Sequence, residues 1–157
     1  MAAKAEFEVR RETDIPTSRA AVYALLVDFH RWPEWSPWED LDPNVSRTYA
    51  GPDAGTGAVY EWSGNRKAGA GRMEITDAVE PSKVQIALQF LKPFKSSNTT
   101  TFELVERDGA THVTWRMVGP QTFMTRVMGI FTSMDKMVGK DFEKGLDRLT
   151  TAASASS

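Results

Sequence analysis

The sequence predicts an α+β domain in which short helices follow a first strand, antiparallel strands form a meander, and one long helix covers a curved sheet. Three observations carry this prediction. Apolar and polar residues alternate over 6–13 and then give way to helical spacing over 18–29. From 45 to 119, turn-forming residues recur between further alternating stretches. After Pro120 the apolar period becomes helical again and holds to Thr150.

In chain order, Phe7 and Val9 share one face of the first stretch while Glu6, Glu8 and Arg10 take the other, the pattern of a half-buried strand. Pro16-Thr17 leads into a helix with Val22, Leu25, Leu26 and Phe29 at helical spacing. Pro33, Pro37 and Pro43 divide 31–43 into a short helix and an irregular loop, because proline brings no amide hydrogen to a helix interior. Turn chemistry at Gly51-Pro52-Asp53, Gly64-Asn65, Pro81-Ser82 and Asp108-Gly109 punctuates strands over 59–63, 73–79, 84–91, 99–106 and 111–118. Turns this short join antiparallel neighbours, since a parallel pair needs a crossover of about a dozen residues. The last helix, over 132–150, sets Met134, Val138, Phe142, Leu146 and Leu149 on one stripe, with Lys136, Lys140, Lys144 and Arg148 away from it. Gly139 and Gly145 lie inside that helix, where each costs about 1 kcal/mol relative to alanine. Close helix–sheet contact and space left for a ligand are both adequate reasons. The tail, 152–157, is all alanine and serine and is expected to fray.

Length and composition bound the function. The 157 residues, with 41% apolar and 25% charged, make one globular domain over 1–157 with no internal linker. With 19 Lys+Arg against 21 Asp+Glu and no dense basic run, the chain has no footprint for nucleic acid. The absence of cysteine removes disulfides, thiolate metal sites and cysteine nucleophiles. His30 and His112 are the only histidines, too few for a histidine-rich metal centre, and neither metal nor cofactor is expected. The first dozen residues are charged and no apolar run reaches the ~18 residues of a membrane span. The expected location is the cytoplasm.

The densest unusual feature is Trp32-Pro33-Glu34-Trp35-Ser36-Pro37-Trp38-Glu39, which holds three of the five tryptophans. Large aromatics on an irregular loop need something to pack against, so they plug one end of the core or also line the mouth of a cavity. Strand parity puts Tyr60 with Trp62, Met73 with Ile75, Leu88 with Phe90, and Trp115 with Met117 on one sheet face. Glu61, Arg72, Glu74, Gln85, Gln89, Thr114 and Arg116 fall on the other. Met124, Met128, Met134 and Met137 lie in the C-terminal segment that covers the apolar face, which suits a core or an adaptable binding surface. Catalytic candidates are few. Tyr60 is a polar handle on the apolar face, Glu39 begins a run of carboxylates with Asp40 and Asp42, and Asn65 lies in a turn. A solvated, helix-capping or turn-stabilising loop explains these carboxylates more cheaply. His30 reads as a helix-end residue, and His112 falls on the solvated strand face.

The FHRWPEWSPWE segment, the GTGAVYEWSGN and GAGRMEIT strands, the FLKPF segment and the closing MDKMVGKDFEKGLDRL helix together resemble the SRPBCC superfamily. That is the START-like, pollen-allergen-like helix-grip fold, and the resemblance is to its bacterial polyketide cyclase/dehydrase and lipid-transport branch. It implies a seven-stranded antiparallel sheet wrapped around the C-terminal helix, with two short helices after strand 1 and a cavity between sheet and helix. The lining it implies is Trp35, Trp38, Tyr60, Trp62 and Met73 from the first half of the chain. Phe90, Trp115, Met117, Met134 and Phe142 follow from the second half. The expected function is binding of a hydrophobic small molecule or lipid, with oligomeric state open between monomer and dimer. Two alternatives stand beside it: a cyclase or dehydratase acting on an apolar substrate, and a protein-interaction module that uses the Trp32–Glu39 loop.

Overall fold

The chain opens on β1 (Glu6–Ile15), followed by α1 (Arg19–Val27) and a 3-10 helix (Phe29–Glu34). Then come β2 (Ser46–Ala50), β3 (Val59–Ser63), β4 (Ala70–Val79), β5 (Lys83–Lys92), β6 (Ser96–Arg107) and β7 (Ala110–Pro120), and α2 (Phe131–Ser156) closes the order. The computed structural model describes residues 6–37, 44–65, 69–92, 96–120 and 131–156. All seven strands form one antiparallel sheet in the order β1-β7-β6-β5-β4-β3-β2, so the first strand pairs with the last. This is the helix-grip α+β architecture, with α2 laid against the sheet's apolar face.

Local chemistry sets the helical segments. The Ser18 hydroxyl accepts the Ala21 amide at 3.2 Å and caps α1; the Asp28 carboxylate accepts the His30 amide at 2.9 Å and caps the 3-10 helix. The orphan carbonyls at the end of α1 receive two indoles. Trp32 Nε1 donates to the Leu26 carbonyl and Trp35 Nε1 to the Leu25 carbonyl, each at 3.0 Å. Arg148 of α2 donates to the Ser36 carbonyl at 3.1 Å, which ties the loop to the long helix. Register shifts at Ala70/Gly71 and Ile75/Asp77 in the β4–β5 pairing supply the bulges that bend the sheet around α2.

Several bounds shift by two or three residues, as where β4 and β6 each begin three residues early, and two departures are larger. β2 is not separable as a strand by its sequence, because four of its five residues are exposed and it carries no apolar alternation. The tail expected to fray is helical through Ser156. Alanine is the best helix former, and Ala153 is fully buried, so the last turn is held by packing.

The helix glycines serve close contact. A Cβ on Gly145 would stand 2.7 Å from Trp115 Cζ3 and 3.0 Å from Pro37 Cδ, while one on Gly139 would collide with the Arg11 guanidinium. Arg11 lies there in an ion pair with Glu143, Nε to Oε2 at 3.0 Å. The propensity lost at each glycine is therefore offset by letting β1, β7 and the Trp loop approach the helix axis.

Candidate functional site

The register divides the apolar face of the sheet into cross-strand rows. One row sets Val84 beside Phe102 and Phe102 beside Trp115, with Arg11 next on β1. Farther from α1, a second row sets Ile75, Ile86, Thr100, Met117 and Val9 side by side. A third joins Tyr49, Tyr60, Met73, Leu88 and Asn98. Beyond it, Arg47 pairs with Trp62, Trp62 with Gly71 and Gly71 with Phe90.

The half of the face nearer α1 is filled. Trp115 stacks on Phe142 of α2 with centroids 4.0 Å apart and planes 6° from parallel. Trp35 meets Trp115 edge-on at 5.5 Å, and Phe102 lies 4.9 Å from Trp115. All four rings are essentially inaccessible, and the overlap that any Cβ on Gly145 would create with Trp115 shows how tightly they fit. Such an arrangement gains dispersion energy on every ring face.

The other half is lined differently. Tyr60, Met73, Leu88 and Met117 are buried there, while Trp62 and Phe90 are only partly covered. Tyr60 and Trp62 lie 6.0 Å apart at 28°, and Phe90 meets Trp62 edge-on at 6.0 Å. The Trp62 ring crosses directly over Gly71, where any Cβ would strike it; this is the reason for a glycine inside β4. Among these apolar groups stand two polar side chains that hydropathy does not single out: Asn98, 8% exposed, and Thr100, 5% exposed. Counting back by twos from Phe102 places both on the inner face, so strand parity is the signal for them.

The expected lining residues thus fall into two sets. Tyr60, Trp62, Met73, Phe90 and Met117 come together in the partly covered half; Trp35, Trp115 and Phe142 form the ring stack. Trp38 and Glu39 lie outside the described residues, as do the side chain of Met134 and the whole of Met124 and Met128. Asn65 is exposed at the end of β3, its carbonyl accepting the Gly69 amide at 2.8 Å, away from the other candidates. Trp32 and Trp35 are buried with both indole N–H groups bonded, so neither is available for docking a partner chain. A surface cleft of about 140 Å³ lies between the 3-10 helix and the β2–β3 connection, lined by Phe29, His30, Tyr49, Pro52, Asp53 and Ala58. His30 stacks on Tyr49 there at 4.1 Å and bonds Asp28, the helix-end role expected of it.

His112 lies on the outer face, as parity requires, with Nε2 2.7 Å from Glu12 and Nδ1 2.8 Å from Asp14. The two carboxylates flank opposite ring nitrogens and do not converge on a common point. Hydrogen bonding to Glu12 first, and to Asp14 second, raises the His112 pKa above its ordinary 6.5. The bond to His112 in turn lowers that of Glu12 below 4.5. The raised histidine contributes stability in full below 6.5 and loses it as pH climbs through its folded value; the lowered Glu12 contributes above 4.5 and loses it in acid. Between about pH 6 and about pH 9 the melting temperature should fall more in the native protein than in His112→Gln. Because both carboxylates face solvent, the difference should be only roughly 1–3 °C and shrink with added salt. Equal slopes in thermal melts would show the triad to be energetically silent.

Residues 6–154 match the family model described as polyketide cyclase / dehydrase and lipid transport. A Thermobifida fusca protein superposes with a TM-score of 0.72 at 18% identity, covering 94% of this chain and 93% of its own. A Staphylococcus aureus protein of unknown function does so with 0.72 at 12% identity, covering 98% and 96%. Ara h 8.0201 gives 0.56 at 15% identity, covering 85% of this chain and 98% of its own. At these identities the likeness is one of fold. No curated protein matches the chain in sequence. With its model matched across nearly the full length and its sheet and helix arranged as the fold requires, the chain belongs to the polyketide cyclase / dehydrase and lipid transport family, within the SRPBCC helix-grip superfamily.

Proposed function

We propose that the protein binds a hydrophobic small molecule or lipid between the sheet and α2. One observation carries this reading: the apolar face is sealed by stacked rings at one end and lined by partly covered aromatics at the other. Tyr60, Trp62, Met73, Phe90 and Met117 form the wall of the site, and the family resemblance adds Trp38 and Met134 to the lining. Trp35, Trp115 and Phe142, stacked behind that wall, close its inner end. Apolar lining with a few polar groups is the usual make-up of a small-molecule site. The described helices include none long and apolar enough to cross a membrane, and a cysteine-free chain agrees with a cytoplasmic carrier.

The test is a tryptophan-fluorescence titration with a panel of fatty acids, sterols and fused-ring phenols. Trp62, partly covered, is the expected reporter. A saturable change at stoichiometric ligand is the expected result; no response across the panel would overturn the binding reading. A second reading, cyclase or dehydratase chemistry on the same class of ligand, is favoured by Tyr60, whose side chain is buried on this face beside Trp62. It assigns proton transfer to Tyr60, with Glu39 and Asn65 as the other candidates.

A further inference from the structure

We propose that the ligand of this face is a neutral molecule carrying a hydroxyl or carbonyl oxygen on an apolar frame, and that Thr100 receives that oxygen. The proposal rests on the binding reading above and specifies the chemistry of the same site.

Thr100 is 5% exposed, and its hydroxyl is shut away from solvent with no hydrogen-bond partner among the described residues. A buried, unmade hydrogen bond is costly to a folded protein, and valine would fill the same volume without the cost. Its neighbours across the sheet, Ile86 and Met117, are apolar and offer it nothing. A ligand oxygen placed beside it would complete the missing bond. Asn98 stands two residues along the same strand face, about 7 Å away at the usual strand rise. Its amide, with two donors and two lone pairs, has capacity for a second polar contact.

The charge of the ligand follows from the same surroundings. Every described residue in the rows of Thr100 and Asn98 is uncharged, and Arg47, which pairs with Trp62 one row beyond Asn98, is exposed on the edge strand. Arg11 belongs to the row of the ring stack, and its guanidinium is held by Glu143 and the Arg10 carbonyl at the Gly139 contact. A carboxylate buried beside Thr100 would lose its hydration without gaining a cation, whereas a phenol or ketone loses far less.

The experiment measures binding of 2-naphthol, 2-methylnaphthalene and 2-naphthoate by equilibrium dialysis to the full chain and to Thr100→Val and Thr100→Ser. These probes keep one frame and exchange hydroxyl, methyl and carboxylate. Thr100→Val should weaken naphthol roughly fivefold to tenfold, the worth of one hydrogen bond, and leave methylnaphthalene unchanged or tighter. Thr100→Ser should retain naphthol, and naphthoate should bind more weakly than naphthol to the native chain. The empty Thr100→Val protein should melt no lower than the native one. Equal weakening of naphthol and methylnaphthalene, naphthoate binding as tightly as naphthol, or a clear fall in melting temperature would each overturn the proposal while leaving the binding reading intact. Failure of all three probes to bind the native chain would overturn the proposal, and the binding reading falls with it only when the fatty acids and sterols of the panel also fail.

Discussion

Trp115→Ala is expected to lower the free energy of unfolding by about 3–5 kcal/mol, the range for deleting a large buried aromatic. The ring is 1% exposed and has partners on several sides: Phe142 on its face, Trp35 edge-on, and Phe102 at 4.9 Å. Collapse cannot repair the hole easily. Trp35 is fixed by its bond to the Leu25 carbonyl, and Phe142 belongs to a helix tied down at Arg11–Glu143 and at Arg148–Ser36. Natural domains hold about 5–15 kcal/mol in total, so this one change removes a large part of the whole. For a chain of this size the melting temperature should drop by roughly 6–20 °C. Urea unfolding that shows a loss below about 1 kcal/mol would mean that the stack has slack, and that the filled half of the face is part of an open cavity.

Most of the fold is legible because an antiparallel sheet with one covered face writes itself as alternation. β3 is a clear case: Tyr60 and Trp62 point inward, Glu61 outward, and the strand bounds match the reading at both ends. Where one face is not covered, the signal disappears, and β2 escapes sequence reading for that reason. The run Asn98-Thr99-Thr100-Thr101 hides its inward residues differently, since polar side chains on both faces leave no hydropathy contrast. Which half of the face is filled is beyond sequence reading altogether. That outcome depends on the Trp loop folding back so that Trp32 and Trp35 cap the end of α1 and Ser36 meets Arg148 of the last helix. These contacts are decided by three-dimensional closure, and local periodicity does not encode them. The helix glycines illustrate the same limit. Their cost is visible in the sequence, but the choice between contact and space needs the Trp115 ring and the Arg11 guanidinium in place.

Trp62→Ala is expected to separate binding from stability in the opposite way. Trp62 is partly covered, packs on Tyr60 and Phe90, and spans a glycine rather than a side chain, so its removal leaves the ring stack untouched. The cost to unfolding should be roughly half or less of that for Trp115→Ala, because Trp62 already meets solvent on part of its surface and gives up less packed area when truncated. The effect on ligand should be large. A tryptophan in the wall of an apolar site is worth about 2 kcal/mol on truncation, which is about thirtyfold in affinity. The two variants therefore make a crossed pair. Trp115→Ala loses stability first and retains the wall of the site below its melting temperature; Trp62→Ala stays folded and loses ligand. Calorimetric titration of both variants with whichever panel compound binds the native chain most tightly reads the contrast directly. Undiminished affinity in a folded Trp62→Ala protein would remove the partly covered half of the face from the binding site. If Trp115→Ala instead lost ligand while still folded, the ring stack would have to be redrawn as part of the wall.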